Sequence, residues 1–306
     1  MPYSKDFFKR FCQKIGLSED FAREYSKAAE KINSSYYFLN EYNKIFESCR
    51  PYDRSTMERA GERMSSLAAV VGVNGYTLNG VLIIHCFEGL EKEYIKRGVP
   101  LEIYWDTATD FVYKTRECVE NKGVVGIFVP RWYGTMMALK KLALGRFQYD
   151  RCPFPYDFAT SGGIKIKEGT PCLYFHIPSS NEPITDEVRL DSYKKAYEFF
   201  EDLRVDGNII LVCHSWLLDP ALQEILPANS NVARFLNDFE IMSVERYTHD
   251  KYGDAWRIFG PLSEGDLENW PENTSMQRAI KKHFSEGKKL GVGEGVIVFD
   301  GEKIVR

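Results

Sequence analysis

Two short apolar segments that each end in a histidine constrain the fold of this chain more than any other feature. Residues 171–177 have the sequence PCLYFHI and residues 208–216 have the sequence NIILVCHSW. Runs of β-branched and aromatic residues predict strands, and residues 185–203 between them have a helical pattern. A strand–helix–strand unit brings the carboxyl ends of both strands to one edge of a sheet, where α/β proteins bind ligands. We therefore expect His176 and His214 to lie at neighbouring strand ends.

The composition excludes several classes of protein. The 306 residues carry a net charge of -4, so there is no electrostatic case for a nucleic acid partner. The longest apolar run, near residues 81–84, is far shorter than the roughly 20 residues that cross a bilayer. The first residues lack the apolar stretch of a secretory signal, and the seven cysteines contain no C-x-x-C pair. We expect a cytoplasmic protein with no membrane span.

The pattern of apolar residues changes along the chain and predicts two domains. Spacing of three and four residues predicts helices over residues 5–15, 18–34, 36–49, 55–71, 79–97, 106–122 and 131–143, with a short extended piece at 99–104. Alternation begins at 144–150 and predicts a strand there and further strands at 171–177, 208–215, 240–247, 255–259 and 294–299. Helices are predicted at 185–203, at 219–238, either continuous or broken at Pro227, and at 274–286. The fold class is therefore a helical N-terminal domain (residues 1–142) followed by a mixed β-sheet flanked by helices (residues 143–306).

The two strand-end histidines are candidates for proton transfer, because imidazole exchanges protons near neutral pH. Strand alternation places Cys213 and Ser215 on one face and His214 and Trp216 on the other. This disfavours a nucleophile paired with His214, and it leaves His214 and Trp216 either lining a cleft or forming a half-buried pair. The remaining histidines, at 85, 249 and 283, have no metal-ligand spacing, so no metal site is predicted.

Two further sets of polar residues are candidate binding groups. The loop at 178–185 contains Ser179, Ser180, Asn181 and Thr185. A loop that opens a helix can present its N–H groups to an anion, but Thr185 also fits a plain helix cap. Arg146 and Gln148 lie on one face of their predicted strand. They can bind a carboxylate, a phosphate or an amide, and an exposed sheet face explains them equally well.

Four segments occur together in an order that is typical of one family. They are LGRFQ at 144–148, HIPSS at 176–180, CHSWLLDP at 213–220 and LPANSNVARF at 226–235. In these segments the chain resembles bacterial acyltransferase-domain-containing proteins, which pair a helical N-terminal domain with a GNAT-like C-terminal domain. The resemblance spans roughly residues 75–260. It implies direct transfer of an acyl group from a coenzyme A thioester, or from an acyl carrier protein, to an amine, with acyl-CoA as co-substrate and no covalently bound cofactor.

The resemblance also implies a site. In GNAT proteins two central parallel strands splay apart, the pantetheine arm enters the gap, and the following loop holds the pyrophosphate. Strands 171–177 and 208–216 would be that pair, with His214 or His176 as the base. The cofactor-binding residues would be Ser179, Ser180, Asn181, Thr185 and Trp216, and the substrate-binding residues would be Arg146 and Gln148.

The chain departs from the GNAT pattern at the phosphate loop. The usual R/Q-x-x-G-x-G/A sequence is replaced by one containing Ser179, Ser180 and Asn181. An acyl carrier donor, weaker binding of coenzyme A or a lost activity would each account for this. Three hypotheses follow: an N-acyltransferase, a binding or regulatory protein on a degenerate GNAT scaffold, and a hydrolase that uses Cys213 or Ser215.

Overall fold

The computed structural model describes residues 1–246 and 252–305, and it divides the chain into two compact units. The first unit comprises Met1–Leu144 and Pro178–Ser180, and the second comprises Gly145–Ile177 and Asn181–Arg306. The domain boundary after residue 142 stays a prediction. His249 and residue 247 of the predicted strand 240–247 lie outside the described residues.

The first unit is helical, as predicted. Its helices are α1 (Lys5–Ile15), α2 (Glu19–Asn33), α3 (Tyr36–Glu47), α4 (Arg54–Val71), α5 (Gly75–Lys96), α6 (Leu101–Lys122) and the short α7 (Gly134–Met137), which follows a 3-10 turn at Pro130–Tyr133. Ser4 and Ser18 cap the first two helices by accepting main-chain N–H bonds. The unit ends with strand β1 (Lys141–Leu144).

Helix α5 forms the centre of this unit, and its middle turns are buried on all sides. The rings of Phe11, Phe87 and Phe111 pack together, with Phe11 centroids 5.3 Å from Phe87 and 5.7 Å from Phe111. Gly80 lies against Tyr25, since a Cβ at this position would approach Tyr25 Cε1 to 2.1 Å. The close approach of Tyr25 to helix α5 therefore depends on glycine at position 80.

Two local predictions in this half of the chain are wrong. The extended piece predicted at 99–104 is helical from Leu101, because Pro100 at the N-cap position begins α6. The helix predicted over 131–143 stops at Met137, because Leu139 has a positive φ of 56°, which a helix does not accommodate.

The second unit contains a mixed sheet flanked by helices, which confirms the predicted fold class. Its elements are β2 (Phe147–Pro153), β3 (Phe158–Ala159), β4 (Lys165–Ile166), β5 (Pro171–His176), α8 (Asp186–Phe199), β6 (Ile209–Ser215), α9 (Ala221–Ile225), α10 (Asn231–Leu236), β7 (Glu240–Arg246), α11 (Trp256–Phe259), α12 (Ser275–Ser285), β8 (Gly291–Phe299) and β9 (Ile304–Val305). The strand order is β2-β5-β6-β8-β7, with β9 on β8, and β3 pairs with β4 apart from this sheet.

The unit β5-α8-β6 is the predicted strand–helix–strand. Strands β5 and β6 are parallel, and the other pairs in this part of the sheet are antiparallel. The strand predicted at 255–259 is wrong: Trp256–Phe259 is the short helix α11, and Phe259 packs its ring 4.5 Å from that of Trp270. The helix predicted over 219–238 is two short helices, separated near Pro227.

Register defines the two faces of the sheet, because residues paired across strands share a face. Asp150 pairs with Tyr174, Tyr174 with Val212, and Val212 with Val296. We call this the histidine face, since alternation adds His176 and His214 to it two residues further along. On the opposite face Phe147 and Phe175 pack against Tyr193 of α8.

Strand β8 carries glycine at every second position from 291 to 295. A Cβ at Gly293 would lie 2.2 Å from the carbonyl oxygen of Leu218, and one at Gly291 would lie 2.1 Å from that of Glu245. A Cβ at Gly295 would lie 2.9 Å from the ring of Phe239. Neighbouring chain therefore lies directly against this strand.

Asp219, the residue that follows the turn after β6, joins several elements. Its side chain is fully buried. Its Oδ1 accepts from the N–H of Ala221 at 3.0 Å and its Oδ2 from the N–H of Gly291 at 2.6 Å, and Oδ2 also accepts from the guanidinium of Arg246. The carboxylate therefore fastens α9, β7 and β8 together.

Candidate active site at the ends of β5 and β6

The parallel strands β5 and β6 part toward their carboxyl ends. They pair at Leu173↔Leu211 and at Tyr174↔Val212. Beyond this point β5 continues along β2 as far as His176, and β6 continues along β8 as far as Ser215. Strand β5 therefore stays paired with β2, and β6 stays paired with β8, after β5 and β6 have stopped pairing with each other. The pairing of β5 with β6 thus ends before the strands do, which leaves a gap at the sheet edge where the histidines were expected.

His176 lies at this gap in contact with a carboxylate. Its Nε2 is 2.9 Å from Oδ2 of Asp150, and the two side chains are 14% and 16% exposed. A carboxylate accepts, so the hydrogen is on Nε2 and the lone pair is on Nδ1. A histidine oriented in this way is equipped to accept a proton.

Sequence reasoning missed Asp150. Alternation along strand β2 places it on the face of Gln148, which was a candidate. The contact with His176 depends on the register between β2 and β5, in which Gln148 pairs with His176 and Asp150 with Tyr174. Only the pairing of two strands distant in sequence brings the imidazole and the carboxylate together.

His214 occupies the equivalent place on β6, on the same face as His176. Its side chain is exposed, and across the strand pair it lies opposite Glu294 of β8. The hydroxyl of Tyr156 donates to Oε2 of Glu294 at 3.2 Å. Proximity of the Glu294 carboxylate and partial burial both raise the pKa of Tyr156, burial being the larger cause. The structure thus places both predicted histidines on one face and at one edge.

The residues next to His214 have other surroundings. Ser215 ends the strand and accepts the N–H of Leu217 at 3.2 Å, which starts a 3-10 turn at Trp216–Leu218. Because this turn ends the alternation, Trp216 lines a small cavity with Tyr252, Phe284 and Leu290. Cys213 is fully buried, and burial raises the pKa of its thiol. A buried thiol and a capping hydroxyl do not favour the hydrolase hypothesis.

The loop after β5 is held by contacts within the protein. The hydroxyl of Ser179 donates to Oε1 of Glu117, which also accepts from Nζ of Lys114. Asn181 has a positive φ of 67°. Ser180 lies between these two residues and is partly buried.

The start of α8 has a side-chain cap. Thr185 accepts the N–H of Val188 at 3.4 Å, as the capping interpretation predicts. Asp186 and Glu187 occupy the first turn. Negative side chains here complement the helix dipole in the manner that a bound phosphate otherwise would.

Arg146 and Gln148 are buried, so the exposed-face explanation for them is wrong. Arg146 lies in the turn before β2, is 9% exposed, and donates to the carbonyl oxygen of Glu182 at 3.2 Å. Gln148 is 1% exposed and lies opposite His176. The contact of Arg146 with residue 182 fixes the loop that follows β5. A substrate-binding role for either residue stays a prediction.

Residues 1–246 and 252–305 contain no group of three or more His, Cys, Asp or Glu side chains arranged to hold a metal ion. Nor do they contain a helix that is both long and apolar enough to cross a membrane.

Solved structures with a similar fold are acyltransferases. One, in complex with decanoyl-CoA and teicoplanin, has a TM-score of 0.73 at 18% identity, with 95% of this chain and 87% of that chain covered. Another, with CoA and 10C-teicoplanin, has a TM-score of 0.72 at 18% identity over 97% and 88% of the two chains. A third, with decanoyl-CoA, has a TM-score of 0.68 at 17% identity over 97% and 89%. At this identity the likeness concerns the fold.

Family comparisons cover nearly the whole chain. A search of curated proteins found no match to this chain. Residues 6–139 match the N-acyltransferase N-terminal domain, and residues 142–297 match the GNAT-like C-terminal domain. The second match spans more than half of the chain, and the resemblance stated from the sequence is confirmed. The chain therefore belongs to the family with a GNAT-like C-terminal domain, preceded here by an N-acyltransferase N-terminal domain.

Proposed function

We propose that this protein transfers an acyl group from an acyl-CoA thioester to an amine by direct attack. The observation that carries the proposal is the gap between β5 and β6 with the His176–Asp150 pair at its edge. Beyond Tyr174 and Val212 the facing main-chain groups of β5 and β6 no longer pair with each other. The two amides of a pantetheine arm can pair with such groups in the manner of an added strand.

The protein's own residues supply the proton transfer. The neutral amine attacks the thioester carbonyl carbon, and its nitrogen must lose one proton as the C–N bond forms. Nδ1 of His176 accepts that proton, and the Asp150 carboxylate on Nε2 stabilises the imidazolium that forms. The tetrahedral intermediate then collapses, the C–S bond breaks, and the leaving thiolate takes that proton from the His176 imidazolium. A well-placed base of this kind contributes roughly 10²–10⁴-fold to the rate.

His214 has a different part in this proposal. In the described part of the chain it has no hydrogen bond to a carboxylate, and its side chain is exposed. It therefore lacks the orientation that a base requires, but it is accessible to an acceptor on the histidine face. We assign the base to His176 and contact with the acceptor to His214.

Some of the predicted cofactor-binding residues have structural contacts within the protein, and others are kept as proposed coenzyme A contacts. Ser179 donates to Glu117 and Thr185 caps α8, so both hydroxyls are engaged. Trp216 lines a cavity with Tyr252 and Phe284. Ser180 and Asn181 stay proposed coenzyme A contacts on the resemblance to GNAT proteins, in which the loop after this strand holds the pyrophosphate. Coenzyme A is the proposed donor because the similar folds were solved with CoA or acyl-CoA; an acyl carrier protein has no such support.

One observation favours a second candidate, a protein that binds acyl-CoA without turnover. The first turn of α8 carries Asp186, which is paired with Arg189 and Arg234, and Glu187, whose charge repels a phosphate at that helix start. A diphosphate displaced from the helix start would leave acyl-CoA bound but out of position for transfer.

Mass spectrometry separates these candidates. Wild-type protein is incubated with decanoyl-CoA and a library of amines, with an equal library of alcohols as the matched control. The proposal expects an amide product and stoichiometric release of CoA. A rise in the unfolding temperature with decanoyl-CoA but no product supports the second candidate. CoA release without any acylated acceptor indicates hydrolysis and contradicts both, as does the absence of both binding and product.

A further inference from the structure

Two cysteines face each other across strands β2 and β5. Cys152 and Cys172 are directly paired in the antiparallel register, and their sulfur atoms are 3.3 Å apart. Both are free thiols in the structure. They are 20 positions apart in the sequence, so it is the sheet that brings them together.

The pairing suits a disulfide bond. Directly opposite residues of antiparallel strands have Cα atoms about 4.5 or 5.5 Å apart, and both values lie within the range of roughly 4.4–6.8 Å that disulfides span. An S–S bond is about 2.05 Å long. The sulfurs therefore need to close by little more than an ångström, which side-chain rotation supplies without a change of register.

The two thiols are unequal. Cys152 is partly exposed, whereas Cys172 is fully buried. The hydrogen bond from Cys172 lowers the pKa of Cys152 and raises that of Cys172, so the accessible sulfur is the one favoured as thiolate. Elsewhere burial raises the pKa of the thiol, to about 12 for Cys12 and to about 11 for Cys118.

A rival pair lies in the helical unit. Cys49 interacts with Cys86, and the Cys86 thiol lowers the pKa of Cys49. Both residues are buried, at 0% and 1% exposed. An oxidant in solution reaches neither, so this pair serves as an internal comparison for the exposed one.

We propose that Cys152 and Cys172 form a reversible intramolecular disulfide when a hydroperoxide reaches Cys152. The Cys152 thiolate attacks the peroxide oxygen, the O–O bond breaks, and a sulfenic acid and one water are formed after protonation. The sulfur of Cys172 then attacks the sulfenic sulfur, the S–O bond breaks, and a second water leaves. Two thiols and one hydrogen peroxide thus give one disulfide and two waters. The site stands whatever reaction the protein catalyses.

Peptide mapping tests the site directly. Folded wild-type protein is treated with hydrogen peroxide, alkylated and digested with trypsin, which separates residues 152–165 from residues 168–189. We expect a linked pair of these two peptides, loss of two of the seven thiols, and full recovery of both with dithiothreitol. Over-oxidised Cys152 with no linked peptide overturns the proposal, and so does a linkage dominated by Cys49 and Cys86.

Variants test the roles of the two sulfurs. In Cys172→Ser the reaction should stop at a sulfenic acid on Cys152 that dimedone captures. In Cys152→Ser, at the partly exposed position where folding is least at risk, oxidation of Cys172 should be lost. Cys12→Ser is the matched control and should leave the linked peptide unchanged. Dimedone labelling of Cys172 in the Cys152→Ser variant would contradict the assignment.

Discussion

The hydrogen bond between His176 and Asp150 predicts how acyl transfer responds to three variants. The contact is 2.9 Å long and joins two mostly buried side chains. Hydrogen bonds to charged groups contribute about 1.5–3 kcal/mol, and each 1.36 kcal/mol corresponds to about a factor of ten in rate. Asp150→Asn should therefore lower kcat/KM by about 10- to 150-fold. His176→Gln removes the proposed base and should lower kcat/KM by about 10²–10⁴-fold.

The double variant is the sharpest test, because the two groups act as one unit. Asp150→Asn combined with His176→Gln should be no slower than His176→Gln by itself. Asp202→Asn is the matched control. Asp202 forms an ion pair with Arg151, which lies next to Asp150 on β2. The Asp202 side chain is 61% exposed, so this substitution should leave kcat/KM unchanged.

The assay measures the initial rate of CoA release from decanoyl-CoA. The acceptor is an amine whose acylation mass spectrometry has detected. Thermal unfolding of each variant checks that it is folded. Multiplicative losses in the double variant would show that Asp150 acts apart from His176. Equal rates for Asp150→Asn and Asp202→Asn would refute the orienting role outright.

Three further predictions concern stability and are checked by urea unfolding. Burial lowers the pKa of His85 from 6.5 to about 4. The unfolded state therefore binds the proton more strongly, and the stability present above pH 6.5 should fall by up to about 3 kcal/mol as the pH drops to 4. His85→Phe should flatten this slope. Gly80→Ala should cost about 1–3 kcal/mol because its Cβ would meet the ring of Tyr25, whereas Gly89→Ala on the same helix meets no atom within 4 Å and should gain up to about 1 kcal/mol. Asp219→Asn places an amide NH2 against one of the two main-chain N–H donors, removes the charge that faces Arg246, and should cost about 3 kcal/mol; a loss below about 0.5 kcal/mol would contradict that account.

The sequence was sufficient to locate the two strand ends, but not to identify the side chains that contact the histidines there. The β-branched runs before His176 and His214 identify both strands, because such residues suit a buried pleated surface. Alternation along one strand does not indicate which residue of a distant strand lies opposite, so Asp150 could not be predicted as the partner of His176. That information is in the register between β2 and β5.

Other errors have tertiary causes. Residues 256–259 have an apolar, aromatic composition that fits a strand, yet Phe259 is helical and packs against Trp270, a contact distant in sequence. The strand predicted at 294–299 begins three residues earlier, at Gly291. Glycine has low strand propensity, so the start of β8 has no signal in the sequence.

These glycines limit which sequences can occupy strand β8. Gly291, Gly293 and Gly295 lie against neighbouring backbone or ring atoms, whereas Val292 and Val296 carry ordinary apolar side chains. Saturation mutagenesis of residues 291–296 should therefore find that the three glycines tolerate no larger residue, while Val292 and Val296 tolerate exchange for other apolar residues. A redesign of strand β8 has its freedom at these even positions, because the odd positions are limited by the chain that contacts them.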